Sequence, residues 1–351
     1  MMKRVNITIG GRMSLSAFVF LAGIYLFTGY AAAGVCSVND DQQFSFIVFG
    51  DSRDNVAGVS QTLAKIVKTM AAHVDVDKPA PSFAVFTGDA ATSGGRNNLK
   101  DWDNITSGLS AKIPVLFVKG NHDIYSRLKG YSRDGEFQEF QRERLEAGAD
   151  INIGCIQRVP GEAGYSAFSF IWNGSLFVIL DTYEVPVPKD QRNGWVSPRQ
   201  LKMLGTALDN TTLRHKFVFA HTPAFDNGPH GNIGKPQYLG SWSQSFMEMW
   251  KIIDRNGVDT VFNAHDHFYA RKKIDSTVNP QWKNGVLQVI TGGAGAPLYD
   301  PESCAGSDCI KYDKASKINH FIIVTVRPED ASYKVYDLDD KQIEEHVINK
   351  P

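Results

Sequence analysis

Five short apolar runs in this chain each stop at a residue type that can bind a cation, and that repeated junction limits what the chain can fold into. Asp51 follows Phe44–Gly50, and Gly88-Asp89 follows Ser82–Thr87. Gly120-Asn121-His122-Asp123 follows Val115–Lys119, His221 follows Lys216–Ala220, and His265-Asp266-His267 follows Thr260–Ala264. Rich in Val, Ile and Phe, the runs read as buried strands over Phe44–Phe49, Ser82–Phe86, Val115–Val118, Lys216–Ala220 and Thr260–Asn263. A single Asp after a strand is usually a turn residue, and a single buried His is usually a hydrogen-bonded core residue. The joint pattern is different, because burying unpaired titratable groups is costly and bound cations would offset that cost. In open α/β sheets ligands bind beyond the carboxyl ends of the strands, so these junctions predict one shared site.

The remaining pattern fits the same architecture. Leu176–Leu180 and Leu287–Ile290 are further strand candidates. Val59, Leu63, Ile66, Val67 and Met70 recur on one helical face. Ser197-Pro198-Arg199-Gln200 combines an N-cap, a first-turn proline and a capping-box glutamine ahead of Leu201, Leu204 and Leu208. Phe246, Met249, Trp250 and Ile253 form another face, with Gly257 as its stop. Strand–helix alternation predicts an α/β fold. His320 to Ile348 reads as several strands with turns at Arg327–Ala331 and Asp337–Lys341, closing the edge of a two-sheet sandwich. Residues 124–164 and 222–242 read as long polar loops of the kind that often carry function.

Residues 1–33 read as a secretory signal peptide: basic Lys3, Arg4 and Arg12, an apolar run from Leu15 to Phe27, and small Ala31-Ala32-Ala33. Residues 34–351 would then be a single periplasmic or secreted domain, with an uncleaved membrane anchor as the alternative. Cleavage removes three bases and no acid, leaving 34 Lys+Arg against 38 Asp+Glu and a net charge of −4. No basic tract stands out, which argues against a general nucleic-acid binder. Cys36, Cys155, Cys304 and Cys309 suit an oxidising compartment. Cys304–Cys309, inside one loop, is the first choice of disulfide and Cys36–Cys155 would follow. A cysteine-ligated zinc site is the alternative, although no Cys-x-x-Cys spacing is present.

The ordered series GDSR (Gly50–Arg53), GDA (Gly88–Ala90), GNHD (Gly120–Asp123), HTP (His221–Pro223) and AHDH (Ala264–His267) resembles the calcineurin-like metallophosphoesterases. With GGAGAPLY (Gly292–Tyr299), the resemblance runs from about Phe46 to Tyr299. It implies a two-layer β-sandwich of mixed sheets flanked by helices, carrying a dinuclear metal site. It further implies that Asp89 bridges two ions, that Asp51 and His267 hold the first with it, and that Asn121, His221 and His265 hold the second. His122 resembles the family's non-ligand histidine, which donates to a phosphate oxygen or protonates the leaving group, and Asp123 could orient it.

The chemistry suits these residue types independently. Two cations about 3.5–4 Å apart can relieve charge on a phosphoryl group and lower the pKa of a bound water toward roughly 7, giving a metal-bound hydroxide. Mixed nitrogen and oxygen donors suit Mn, Fe or Zn, as divalent or trivalent ions. The expected activity is hydrolysis of a small-molecule phosphoester, monoester or diester. Two positions depart from the family pattern: Ala264 replaces a glycine, and Arg53 replaces a histidine. A guanidinium cannot ligate a cation. Arg53 either faces the substrate phosphate or pairs with Asp54 or Asp123. Because of Arg53, a non-catalytic or weakly active metal-binding protein on the same scaffold is the alternative function, and His122 argues against it. An unrelated amide hydrolase is a third reading. His230, Lys235, Arg96 and Tyr269 are weaker candidates for substrate contact, His215 and His320 are read as structural, and Trp195, Trp242 and Trp250 as packing residues.

Overall fold

A computed structural model describes residues 43–348, apart from 55–57, 127–128, 131, 147–155, 160–161, 188–193, 231–240 and 302–309. The four cysteines, Lys235 and the N-terminal segment lie outside the described residues, as does the Trp242 side chain.

In chain order the strands and helices are β1 (Phe44–Phe49), α1 (Thr62–Val76), β2 (Pro81–Phe86), α2 (Arg96–Ser110), β3 (Val115–Phe117) and α3 (Asp134–Glu146). Next come β4 (Gln157–Arg158), β5 (Phe168–Trp172), β6 (Ser175–Leu180), α4 (Pro198–Asp209), β7 (His215–Ala220) and α5 (Ser241–Arg255). The chain continues through β8 (Thr260–Asn263), β9 (Tyr269–Ile274), β10 (Val286–Thr291), β11 (Lys314–Ser316), β12 (His320–Val326), β13 (Ala331–Asp337) and β14 (Gln342–Ile348). Two mixed sheets result. One has the order β14-β13-β12-β1-β2-β3 and the other β11-β9-β10-β8-β7-β6-β5-β4. Within the first, β1, β2 and β3 are parallel. Within the second, β6, β7, β8 and β10 are parallel.

Phe-rich strands hold the sheets face to face. Phe46 of the first sheet packs edge-on against Phe177 and Phe217 of the second, each at 5.3 Å between ring centroids. Burying one such ring contributes on the order of 2–3 kcal/mol. The opposite face of the first sheet is covered by Leu63, Ile66 and Met70 of α1 and by Leu99 and Trp102 of α2. The outer face of the second sheet is covered by Leu204 and Leu208 of α4 and by Phe246, Met249, Trp250 and Ile253 of α5. This is the predicted two-layer sandwich of mixed sheets flanked by helices. The C-terminal strands β12–β14 form the predicted edge, on the first sheet.

Three local expectations need correction. Segment 124–164 is more than loop, because α3 buries Phe137, Phe140 and Gln141 against the first sheet. Ser197 caps α4 through Gln200 N–H, but the Gln200 side chain does not return to Ser197. It spans to Asp181 N–H and C=O instead, fixing the end of β6. Val59 precedes α1 and pairs with Arg53.

Candidate metal centre

The carboxyl ends of β1, β2, β3, β7 and β8 open on one side of the sandwich, and the loops there turn back sharply. Asp51, Asp89 and His265 adopt positive φ values of 57°, 61° and 69°. Asp tolerates the left-handed region better than most side chains, and such strain gathers at functional sites. Gly88 and Gly120 give the loops room. A Cβ on Gly88 would lie 2.6 Å from His221 Nδ1, and one on Gly120 would strike the Asp89 carboxylate. Asp51 N–H donates to Gly88 C=O, Ser52 N–H to Asp89 C=O, and His265 N–H to Asp51 Oδ2, so the loops hold each other.

Two buried three-residue groups result: Asp89, His221 and His265, and Asp51, Asp89 and His267. Their possible donor atoms lie within 4.8 Å of one another, and Asp89 belongs to both. His221 Nδ1 donates to Thr87 C=O at 2.8 Å and His267 Nδ1 to Pro297 C=O at 2.7 Å. Each bond commits Nδ1 as the N–H donor and turns Nε2 inward with its lone pair. Asp51 Oδ1, His221 Nε2 and His265 Nε2 are buried with no hydrogen-bond partner. Polar atoms so placed are costly unless something binds them. Carboxylate and imidazole donors converging in this way fit metal cations. Asn121 joins through Oδ1, 3.1 Å from His265 Nδ1.

Electrostatics couple the groups. Burial pushes Asp89 up, but His221, His122 and Arg53 outweigh it and hold the carboxyl well below its usual range. Without a cation, burial lowers His221, yet the charge of Asp89 carries it up to about 9, so a cation taking the Nε2 lone pair would displace that proton. Burial, then the neighbouring His230 and His221, push His265 well below the ordinary histidine value.

His122 borders this centre, half-buried. Its N–H donates to Asp89 Oδ1 at 2.8 Å, and its Nδ1 donates to Thr92 C=O at 2.7 Å. Asp123 does not orient it. The Asp123 carboxylate turns the other way and accepts the N–H groups of Gly120, Asp89 and Ala90 at 2.7–2.9 Å. It thereby ties the loop after β3 to the loop after β2. Burial and the charge of Asp89 raise Asp123 to about 7.

Arg53 pairs with neither Asp54 nor Asp123 among the described residues. Its Nη2 donates to Tyr299 Oη at 2.7 Å. The Tyr299 ring lies flat on His267, 4.1 Å away and 14° from parallel. Sequence reasoning missed Tyr299, which closes the GGAGAPLY segment without any strand-end signal. It also missed the contact of Asp266 Oδ1 with His230 Nδ1 at 2.8 Å, which brings His230 over His265 with ring centroids 4.3 Å apart. The other candidates lie elsewhere. Arg96 pairs with Glu139 and Glu143, and Tyr269 bonds Tyr333 between the sheets. His215 contacts Asp259 and Arg327 C=O, and His320 is buried on Gly293. Trp250 packs on Phe225, and Trp195 Nε1 donates to Glu184 C=O.

Comparisons with known proteins bear on the family and the fold. Residues 44–269 match the model of the calcineurin-like phosphoesterase family. Purple acid phosphatase 23 of Arabidopsis thaliana is 23% identical over 174 residues, 48% of this chain and 32% of that protein. Serine/threonine-protein phosphatase CPPED1 of Danio rerio is 25% identical over 234 residues, 64% of this chain and 63% of that protein. This chain therefore spans less than two thirds of either relative. The purple acid phosphatase PPD1 of yellow lupin seeds shares the fold, with a TM-score of 0.62 at 14% identity over 88% of this chain and 54% of that one.

Proposed function

The chain belongs to the calcineurin-like phosphoesterase family, and from that premise we propose that it hydrolyses small-molecule phosphate esters at a centre of two metal ions. The observation that carries this reading is the pair of buried donor groups sharing Asp89. In this reading Asp51, Asp89 and His267 hold one ion, and Asn121, His221 and His265 join Asp89 around the other. Cations bound there supply charge relief to the phosphoryl oxygens and a water acidic enough to attack near neutral pH. The mixed nitrogen and oxygen donors favour Mn, Fe or Zn.

The chain's own groups do the rest. In its doubly protonated form His122, with Nδ1 committed to Thr92 C=O, presents Nε2–H as the donor to a phosphoryl oxygen or to the leaving group. Its backbone N–H fixes the Asp89 carboxylate, which would serve both donor groups. Asp123 keeps the two loops in register through three amides.

We further propose that residues 1–33 are a cleaved export signal, and that residues 34–351 act as one domain outside the cytoplasm. None of the described helices is long and apolar enough to cross a membrane.

Elemental analysis of the purified protein, with turnover of an aryl phosphate monoester and an aryl phosphate diester, tests the activity. Two equivalents of a transition metal and turnover of at least one ester are expected. A loaded protein inert toward both esters would defeat the proposal. Sequencing the N-terminus of exported material tests the signal.

A further inference from the structure

We infer that Arg53, pinned by Tyr299, is a phosphate-binding residue that biases the centre toward phosphate monoesters over diesters. This rests on the phosphoesterase reading and narrows its substrate class.

The guanidinium is fixed at the rim of the metal groups. Arg53 lies two residues after Asp51, and its backbone bridges to Val59. Its Nη2 donates to Tyr299 Oη at 2.7 Å. Tyr299 is itself held twice, by its N–H on His267 C=O at 3.0 Å and by its ring stacked on the His267 imidazole. His267 Nε2 faces Asp51 Oδ1 at 3.5 Å. The chain of contacts from Arg53 to the metal donors is therefore short and rigid.

Among the described residues no carboxylate forms an ion pair with Arg53, and its Nε is buried without a hydrogen-bond partner. A guanidinium has several N–H donors in a fork that fits two oxygens of one phosphate. Spending one of them on a neutral phenol leaves the rest for an anion that arrives from outside. Tyr299, stacked on His267, whose Nε2 faces Asp51, holds the guanidinium beside the metal groups, so the anion it would meet sits at the centre.

Charge decides which ester is favoured. Asp51 and Asp89 bring one negative charge each, fewer than two divalent cations carry, so the loaded centre is already positive. The histidine that the family pattern has at this position would add no charge when neutral, whereas Arg53 adds one. A monoester is mostly a dianion above a second pKa of about 6, with three terminal oxygens. A diester is a monoanion with one fewer terminal oxygen to bind. Additional fixed positive charge therefore favours the monoester.

The test compares the metal-loaded wild type with R53Q, R53K and Y299F. It measures kcat/KM for an aryl monoester and an aryl diester, the Kd of inorganic phosphate, and metal content. Charge-assisted hydrogen bonds of about 1.5–3 kcal/mol correspond to a factor of about 10–100. R53Q should lose about that factor on the monoester and in phosphate affinity, lose far less on the diester, and keep its metals. R53K and Y299F should fall between R53Q and wild type. Equal losses on both esters, unchanged phosphate affinity, or loss of metal in R53Q would each overturn the assignment. A wild type inert toward both esters would sink the phosphoesterase reading instead, and phosphate affinity would still judge Arg53.

Discussion

His221 Nε2 stands 3.5 Å from Asp89 Oδ1, with both side chains buried. That is long for a hydrogen bond between an imidazole and a carboxylate. It leaves His221 Nε2 buried without a hydrogen-bond partner, a position a shared cation would satisfy. His267 Nε2 and Asp51 Oδ1 repeat the spacing at 3.5 Å.

Since Asp89 belongs to both groups, Asp89→Asn should lower the occupancy of both at once. An amide keeps the shape but loses the charge and one strong donor oxygen. Elemental analysis of the purified variant should find fewer than one equivalent of metal. Retention of two tightly held equivalents would remove Asp89 from the shared position.

His122→Ala leaves the backbone N–H that holds Asp89 and deletes only the ring. Metal content should stay near the wild-type level, while turnover of the better aryl ester falls about 10²- to 10⁴-fold, the usual range for one proton-donating group. If metal is lost together with turnover, the ring is a ligand and its assigned role is wrong.

The strand-end residues were legible in the sequence because five apolar runs each stop at a cation-binding residue type, a joint pattern that turn chemistry alone does not require. β1 and β8 match their runs to the residue, being buried along their whole length. Helices α2 and α3 were not seen. Their apolar stripes, Leu99-Trp102-Leu109 and Phe137-Phe140, are thin and lie among Asn, Asp, Glu and Arg. Chain adjacency misled at Asp123, where a tight turn sends neighbouring side chains of His122 and Asp123 to different partners. The contact of Arg53 with Tyr299 spans 246 residues, and no local pattern announces it.

Lys119 is fully buried, with Nζ 2.5 Å from Asp181 and 2.6 Å from Asp134. Burial would lower the ammonium, but Asp181 and Asp134 outweigh it and raise its pKa. The residue precedes Gly120 and ties β3 to β6 and to the start of α3. Lys119→Met should cost about 3–5 kcal/mol, because it leaves buried carboxylate charge uncompensated. Urea unfolding measures this, and adding Asp181→Leu should recover part of the loss. A single variant as stable as wild type would mean that the ion pair contributes nothing.

His320 gives the fold an acid limit. Its ring is wholly buried between Gly293 and Tyr269, Nδ1 meets Ile318 C=O at 3.1 Å, and Nε2 has no partner. Burial lowers its pKa from 6.5 to about 4. Between those values the unfolded chain binds the proton and the folded chain does not, so stability rises with pH across the window and is lost as pH falls toward 4. At about 1.4 kcal/mol per unit, the loss from this group approaches on the order of 3 kcal/mol. His320→Gln carries no titrating ring, so urea unfolding of the metal-free protein should show a shallower fall between pH 6.5 and 4 than wild type. The smaller side chain fills the site less well and lowers stability at every pH, so the difference in slope is the measure. Parallel curves for the two proteins would show that His320 does not set the acid limit.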